Sequence, residues 1–175
     1  PVFRAAGYGD GQLFLVHTLR DPCEVALSQQ QRAQANPDFY EIGRQPAEGA
    51  ALWLSLSAQA LAGSARLPTY YLAYEDLLTR PRELLGELAA FIGAAPDPDQ
   101  RGAFCAEFVD PALRRSTAVA PVRAALTQQF PQVLEFDRAL RGLLVNAADP
   151  SAALDQALAV AARADTRARM SAIAS

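Results

Sequence analysis

Lysine is absent from this sequence, so all 16 basic residues are arginine. A phosphate or sulfate bound by a charged side chain would therefore meet a guanidinium, whose planar fork suits bidentate contacts. The net charge is −3, and the sequence lacks the clustered positive excess of a nucleic-acid-binding surface. It also has no run of about 18 apolar residues, so it predicts no transmembrane helix.

Cysteine and histidine are scarce as well. The chain has two cysteines, Cys23 and Cys105, and one histidine, His17. None of them has partners at the spacing of a typical zinc site, so we predict no metal. Unpaired cysteines favour a reduced, cytoplasmic chain. His17 falls inside a strand pattern, and we interpret it as a core or sheet-flanking side chain.

Two short segments rich in strand formers predict β-strands: residues 13–19 and 68–74. The first is a nearly continuous apolar run, which is typical of a parallel strand buried on both faces. Some fifty residues with helical patterns separate the two, and so long a connection predicts a parallel pair. Because two strands do not form a stable open sheet alone, we expect further strands in an N-terminal part preceding Pro1.

Most of the remaining segments predict helices. The first begins at Pro22, with Asp21 as its N-cap and Glu24 at the spacing of a capping box. A later helix has Thr79 as its predicted N-cap and Gly93 at its C-terminus. The predicted helical ranges are 22–34, 46–62, about 80–92, 100–108, 121–128, 131–145 and 151–170.

This order of elements predicts an α/β fold, a parallel sheet flanked by helices with a helical C-terminal part. We predict one domain over residues 1–145 and an Ala-rich helical tail over residues 146–175. Ligands of open α/β sheets bind at the carboxyl ends of the strands. Arg20 follows the first strand and Tyr74 closes the second, a cation and an aromatic ring suited to a nucleotide.

The spacing of the first helix adds a third polar group. Ser28 lies seven residues after Asp21, and at about 100° per residue the two share nearly the same helix face. A phosphate along this face could touch Arg20 and the Ser28 hydroxyl together. A surface serine without a ligand is the alternative interpretation.

Three segments carry a family resemblance. Residues 20–28, Arg-Asp-Pro-Cys-Glu-Val-Ala-Leu-Ser, resemble the 3′-phosphate-binding segment of sulfotransferases that use 3′-phosphoadenosine 5′-phosphosulfate (PAPS). Residues 74–78, Tyr-Glu-Asp-Leu-Leu, resemble the Tyr-Glu-Asp-Leu segment of that family. Residues 108–115, Phe-Val-Asp-Pro-Ala-Leu-Arg-Arg, are similar to a segment of bacterial sulfotransferases, some of them joined to glycan-modifying domains. The resemblance covers about residues 10–116.

The resemblance implies a partial P-loop-like sheet and a role for each matched residue. Arg20 would pair with the 3′-phosphate of PAPS, Ser28 would donate a hydrogen bond to it, and Tyr74 would contact the adenine. Arg114 or Arg115 would face the phosphates, with a solvated arginine pair as the alternative. The implied activity is transfer of a sulfuryl group from PAPS to a hydroxyl or amine of a small-molecule or glycan acceptor.

One part of the family pattern is missing. Its glycine- and serine-rich loop, which binds the 5′-phosphosulfate, has no counterpart here, and its catalytic base usually lies in the same upstream part. We therefore assign no catalytic residue and expect the chain alone to be inactive without its N-terminal segment. The alternative is a non-enzymatic helical interaction or scaffold domain derived from the same fold. Another nucleotide-binding transferase would need a Gly-rich loop ending in Lys-Ser/Thr, which is absent.

Overall fold

A computed structural model describes residues 7–9, 13–38, 42–64, 67–95, 97–107, 109–110, 112, 118–145 and 150–173, with residues 145 and 165–173 described by their backbone alone. Within these ranges the chain is mainly helical and holds one two-stranded parallel sheet. Its strands are β1 (Leu15–Leu19) and β2 (Thr69–Ala73). Its helices are α1 (Pro22–Ala35), α2 (Pro46–Ser64), α3 (Tyr74–Thr79), α4 (Pro81–Phe91), α5 (Pro98–Glu107), α6 (Ala120–Gln129), α7 (Pro131–Val145) and α8 (Ser151–Ile173).

The two strands pair in parallel as direct neighbours, which confirms the prediction from the long connection. Leu15 lies opposite Thr69 at one end of the register, and Leu19 lies opposite Ala73 at the other. Helices α1 and α2 form the chain segment between the strands. The described part of the chain therefore has the helix-rich α/β character that the sequence predicts.

Burial alternates along β1, so the prediction of a strand buried on both faces is wrong. Leu19 is 4% exposed, whereas Val16 is 45% exposed and Thr18 is also exposed. An apolar residue at an outward position looks the same in sequence as one in the core. The continuous run Leu-Phe-Leu-Val therefore conceals the two-residue period of a strand with one open face.

Aromatic rings cover part of that face. The Phe91 ring of α4 lies edge-on to Phe14, with ring centroids 5.4 Å apart, and 5.5 Å from the centroid of Tyr70. Tyr70 is the register partner of Val16. Phe14 nevertheless stays 43% exposed, so α4 covers the sheet only in part.

The chain divides into two compact units. One comprises Pro1–Leu19 and Ser64–Arg114, and the other comprises Arg20–Gly63 and Arg115–Ser175. The sheet and helices α3, α4 and α5 belong to the first unit. Helices α1, α6, α7 and α8, with α2 up to Gly63, belong to the second.

The core of the second unit is built around α7. The Phe136 side chain of this helix is fully buried, and Trp53 of α2 meets its ring edge-on at a centroid distance of 5.7 Å. Helix α8 packs along α7 and buries Ala153 and Ala157. Small side chains bring the two helices together, since a Cβ built at Gly142 would lie 3.5 Å from the Cβ of Ala153.

The junction between β2 and α4 differs from the prediction. Tyr74, predicted as the last strand residue, begins the short helix α3. The Thr79 hydroxyl donates to the Glu75 carbonyl at 2.9 Å, which satisfies it inside α3. Thr79 is therefore not the N-cap of the following helix, and Arg80 holds that position without a side-chain cap.

The C-terminus of α4 follows the prediction. Gly93 has a φ of +71°, the left-handed conformation that glycine adopts without steric cost. Its N–H donates to the Ala90 carbonyl, and the Ala94 N–H donates to the Ala89 carbonyl at 2.8 Å. These two bonds form a Schellman motif, which ends the helix at the residue that the sequence indicates.

Candidate functional site

Helix α1 begins at the cap that the sequence predicts. Asp21 Oδ1 accepts hydrogen bonds from the backbone N–H groups of Cys23 at 2.7 Å and Glu24 at 3.4 Å. Pro22 occupies the first helical position, where no N–H is needed. The other Asp21 oxygen, Oδ2, pairs with Arg123 of α6. One carboxylate thus caps α1 and ties it to a second helix.

Arg20 precedes this cap, and its side chain contacts the first turn of α1. Its Nε lies 3.3 Å from Glu24 Oε2. The Glu24 side chain is 4% exposed and that of Arg20 is 26% exposed. A buried carboxylate is costly unless it is paired, and Arg20 is a partner of this one.

Ser28 lies one helical turn beyond Glu24. Residues four apart on a helix are neighbours, with Cβ atoms about 5–6 Å apart, so Ser28 follows Glu24 along one side of α1, and the ion pair places the Arg20 guanidinium against Glu24. The Ser28 side chain is half-buried. Glu24 therefore stands between the two residues that the resemblance assigns to a phosphate.

The contact of Glu24 with Arg20 was not predicted, because Glu24 was interpreted as part of the helix cap. A signal was present, since an arginine just before a helix start lies within reach of a glutamate in its first turn. The same glutamate also satisfies the capping-box spacing from Asp21, and spacing alone does not choose between the two contacts.

Charges around the start of α1 occur in pairs. Arg20 pairs with Glu24, and Arg123 pairs with Asp21. A third ion pair lies on α7, where Arg141 Nε is 3.2 Å from Asp137 Oδ2. Burial raises the pKa of Asp137, Arg141 opposes this rise, and the charges of Asp21 and Arg123 also act on it. An anion here would meet directed donors and not a large net positive field.

Cys23 lies inside this cluster and is fully buried. Burial, together with the negative charge of Asp21, raises the pKa of its thiol to about 12. The position in the first turn of a helix would by itself lower a thiol pKa, but burial outweighs it. Cys23 is therefore a packing residue and not a nucleophile at neutral pH.

Tyr74 belongs to the first unit, whereas Arg20 and Ser28 belong to the second. It is half-buried at the start of α3. It directly follows Ala73, the register partner of Leu19. Arg114 and Arg115, the remaining candidates for the cofactor's phosphates, lie outside the described residues.

His17 has the surroundings of a sheet side chain. Its ring centroid lies 5.8 Å from that of Tyr71, and burial lowers its pKa, which favours the neutral imidazole. Its Nδ1 is buried without a hydrogen-bond partner in the described part of the chain. A general base is normally oriented by a hydrogen bond to its second nitrogen, and Nδ1 has no such bond to the described residues.

A separate apolar groove of about 470 Å³ lies between α2 and α8 in the second unit. Alanine and leucine side chains form most of its wall, with Phe130 at one side. Its polar groups come from Ser55 and Gln59, and Gln59 Nε2 donates to Ser55 Oγ at 3.0 Å. Its walls lack the charged groups that a phosphate would require.

Over the residues described, no group of three or more His, Cys, Asp or Glu side chains could hold a metal ion. None of the described helices is both long enough and apolar enough to cross a membrane. Comparisons with protein-family models, curated proteins and solved structures find no match to this chain. Functional inference therefore depends on the matched segments and on the geometry at α1.

Proposed function

We propose that this chain is the 3′-phosphate-binding part of a cytoplasmic PAPS-dependent sulfotransferase. The observation that carries the proposal is the line of Arg20, Glu24 and Ser28 at the start of a helix that directly follows a parallel strand. Anions bind at helix N-termini and at the carboxyl ends of parallel strands. In the complete enzyme, an N-terminal segment would add strands to a P-loop-like sheet and supply the loop for the 5′-phosphosulfate.

The residues of this chain would hold the nucleotide and take no part in bond breaking. Arg20 makes a charge-assisted contact with the 3′-phosphate, Ser28 donates a hydrogen bond to it, and Tyr74 contacts the adenine. The sulfuryl group passes from PAPS to the oxygen or nitrogen of a small-molecule or glycan acceptor. The acceptor's proton goes to a base outside the matched segments, and adenosine 3′,5′-bisphosphate leaves.

A second candidate function is a non-enzymatic interaction or scaffold domain of the same fold. The groove between α2 and α8 favours it, because its wall is mainly apolar and its volume of about 470 Å³ is large. Such a domain would have no need of a 3′-phosphate contact. Binding of the nucleotide therefore distinguishes the two functions.

Calorimetry of the full-length protein with adenosine 3′,5′-bisphosphate tests the proposal. A charge-assisted contact contributes about 1.5–3 kcal/mol and a neutral hydrogen bond about 1 kcal/mol. We expect Arg20→Ala to weaken binding about 10–100-fold and Ser28→Ala about 5-fold.

The control is Arg163→Ala, which removes an exposed arginine of α8 and should leave binding unchanged. Equal binding by wild-type protein and Arg20→Ala would refute the phosphate contact. No binding by the wild-type protein would refute the sulfotransferase assignment and leave the interaction domain.

A further inference from the structure

We infer that Glu24 is a positioning residue for the Arg20 guanidinium, and that it sets the preference of this site for a nucleotide bearing a 3′-phosphate. The inference rests on the proposed function and adds a residue to it. Three observations support it: the 3.3 Å contact from Arg20 Nε to Glu24 Oε2, the burial of Glu24, and its place one turn before Ser28.

The contact fixes the orientation of the guanidinium. Arginine has a long side chain, and confining it to one rotamer costs conformational entropy. Glu24 is held by helix α1 and is 4% exposed, so its carboxylate is a stationary acceptor. Because Nε, Cζ and both Nη atoms are coplanar, a bond to Nε sets the plane in which the terminal donors lie. The entropy cost is then met before a ligand binds.

The Nε contact is compatible with phosphate binding by the same side chain. A guanidinium has five N–H donors in a fixed fork and serves more than one acceptor. The carboxylate also opposes a bound anion through its charge. If Glu24 acts by positioning Arg20, its removal weakens binding of the 3′-phosphate; if its charge repels the anion, its removal strengthens binding. A measurement of the dissociation constant therefore separates the two effects.

The effect is measured as a ratio of two dissociation constants, those of adenosine 5′-monophosphate and adenosine 3′,5′-bisphosphate, for full-length protein. We expect Glu24→Ala to reduce this ratio about 3–10-fold, because Arg20 loses its orientation. Glu24→Gln keeps a carbonyl oxygen for Nε–H, and we expect it to retain the ratio within about 2-fold. Thermal unfolding of each variant verifies that it is folded.

A double variant tests whether Glu24 acts through Arg20. In an Arg20→Ala background, Glu24→Ala should leave the ratio unchanged, since no guanidinium remains to be oriented. An equal loss with and without Arg20 would overturn the inference, and so would an increase in the ratio for Glu24→Ala.

A spectroscopic test needs no nucleotide. The Nε–H proton of Arg20 should be protected from solvent exchange in the NMR spectrum of the free wild-type protein, retain protection in Glu24→Gln and lose it in Glu24→Ala. If the wild-type protein lacks this protection, the positioning role is wrong whatever the protein binds. If protection is present but neither nucleotide binds, the proposed function fails and the preference assigned to Glu24 fails with it.

Discussion

Asp21 and Arg123 form an ion pair although 102 residues separate them in the chain. The same carboxylate caps α1 through the N–H groups of Cys23 and Glu24. A helix cap and a contact between distant helices therefore depend on one side chain. The Arg123 side chain is 44% exposed and that of Asp21 is 17% exposed, so the two should contribute unequally to stability.

Removing Asp21 should destabilise the protein more than removing its partner. Asp21→Ala loses both the cap and the ion pair, and we expect the free energy of unfolding to fall by about 1–3 kcal/mol. Arg123→Ala loses only a partly exposed pair and should cost less than about 1 kcal/mol. Urea unfolding measures both values. Equal losses in the two variants would show that the cap contributes nothing.

Two glycines of α2 should respond oppositely to alanine. A Cβ built at Gly49 would lie 3.1 Å from the Cα of Ala26, whereas one built at Gly63 has no atom within 4 Å. Alanine is favoured over glycine in a helix by about 1 kcal/mol, so Gly63→Ala should stabilise. Gly49→Ala should destabilise by about 1–3 kcal/mol because α1 has to shift. Urea unfolding of both variants provides the comparison, and a stabilised Gly49→Ala would contradict the close approach of α1 and α2.

The two thiols should differ in reactivity. Cys23 is fully buried with a pKa raised to about 12, whereas Cys105 is partly exposed. In native protein at pH 8, a thiol reagent should label Cys105 rapidly and Cys23 only as fast as the protein opens. Cys105→Ser should show only the slow labelling phase, and Cys23→Ser should show only the fast one. Rapid labelling of both residues in folded protein would argue against the burial of Cys23.

The stability difference between wild-type protein and Asp137→Asn should depend on pH. Burial raises the pKa of Asp137 above its usual value of 3.8, so the folded state holds this proton more tightly than the unfolded state. The group's contribution to stability is present below pH 3.8 and is lost as the pH rises through the folded pKa. Asp137→Asn does not titrate, so its stability relative to wild type should be more favourable at pH 7 than at pH 3.5. Urea unfolding at both values tests the sign, and a difference independent of pH would contradict it.

Local signals in the sequence predict most of the secondary structure. Helix α1 extends over Pro22–Ala35 against a predicted 22–34, because the cap at Asp21 and the Asn-Pro sequence after Ala35 are short-range features. The parallel pairing of β1 and β2 follows from the length of their connection. Helix α3 was missed because its six residues are too few for a helical period, and Tyr74 looks like a continuation of the aromatic strand.

The candidate site was predictable where it depends on helix geometry. The cap at Asp21 follows from local sequence and is confirmed, whereas the phosphate roles of Arg20 and Ser28 stay predictions. The pairing of Asp21 with Arg123 was not predictable, because no local pattern links residues so far apart. The contact of Glu24 with Arg20 was not predicted, since the capping-box spacing uses the same residue.

No loop connects β2 to α3, so an insertion or deletion at this junction would have to change the strand or the helix. Tyr74 follows the last strand residue without a loop, and Arg80 alone separates α3 from α4. One residue inserted within α3 would rotate the part of the helix after it by about 100° relative to Tyr74. Insertions and deletions among relatives of this chain should therefore avoid residues 69–81, and sequence variation there should be by substitution alone.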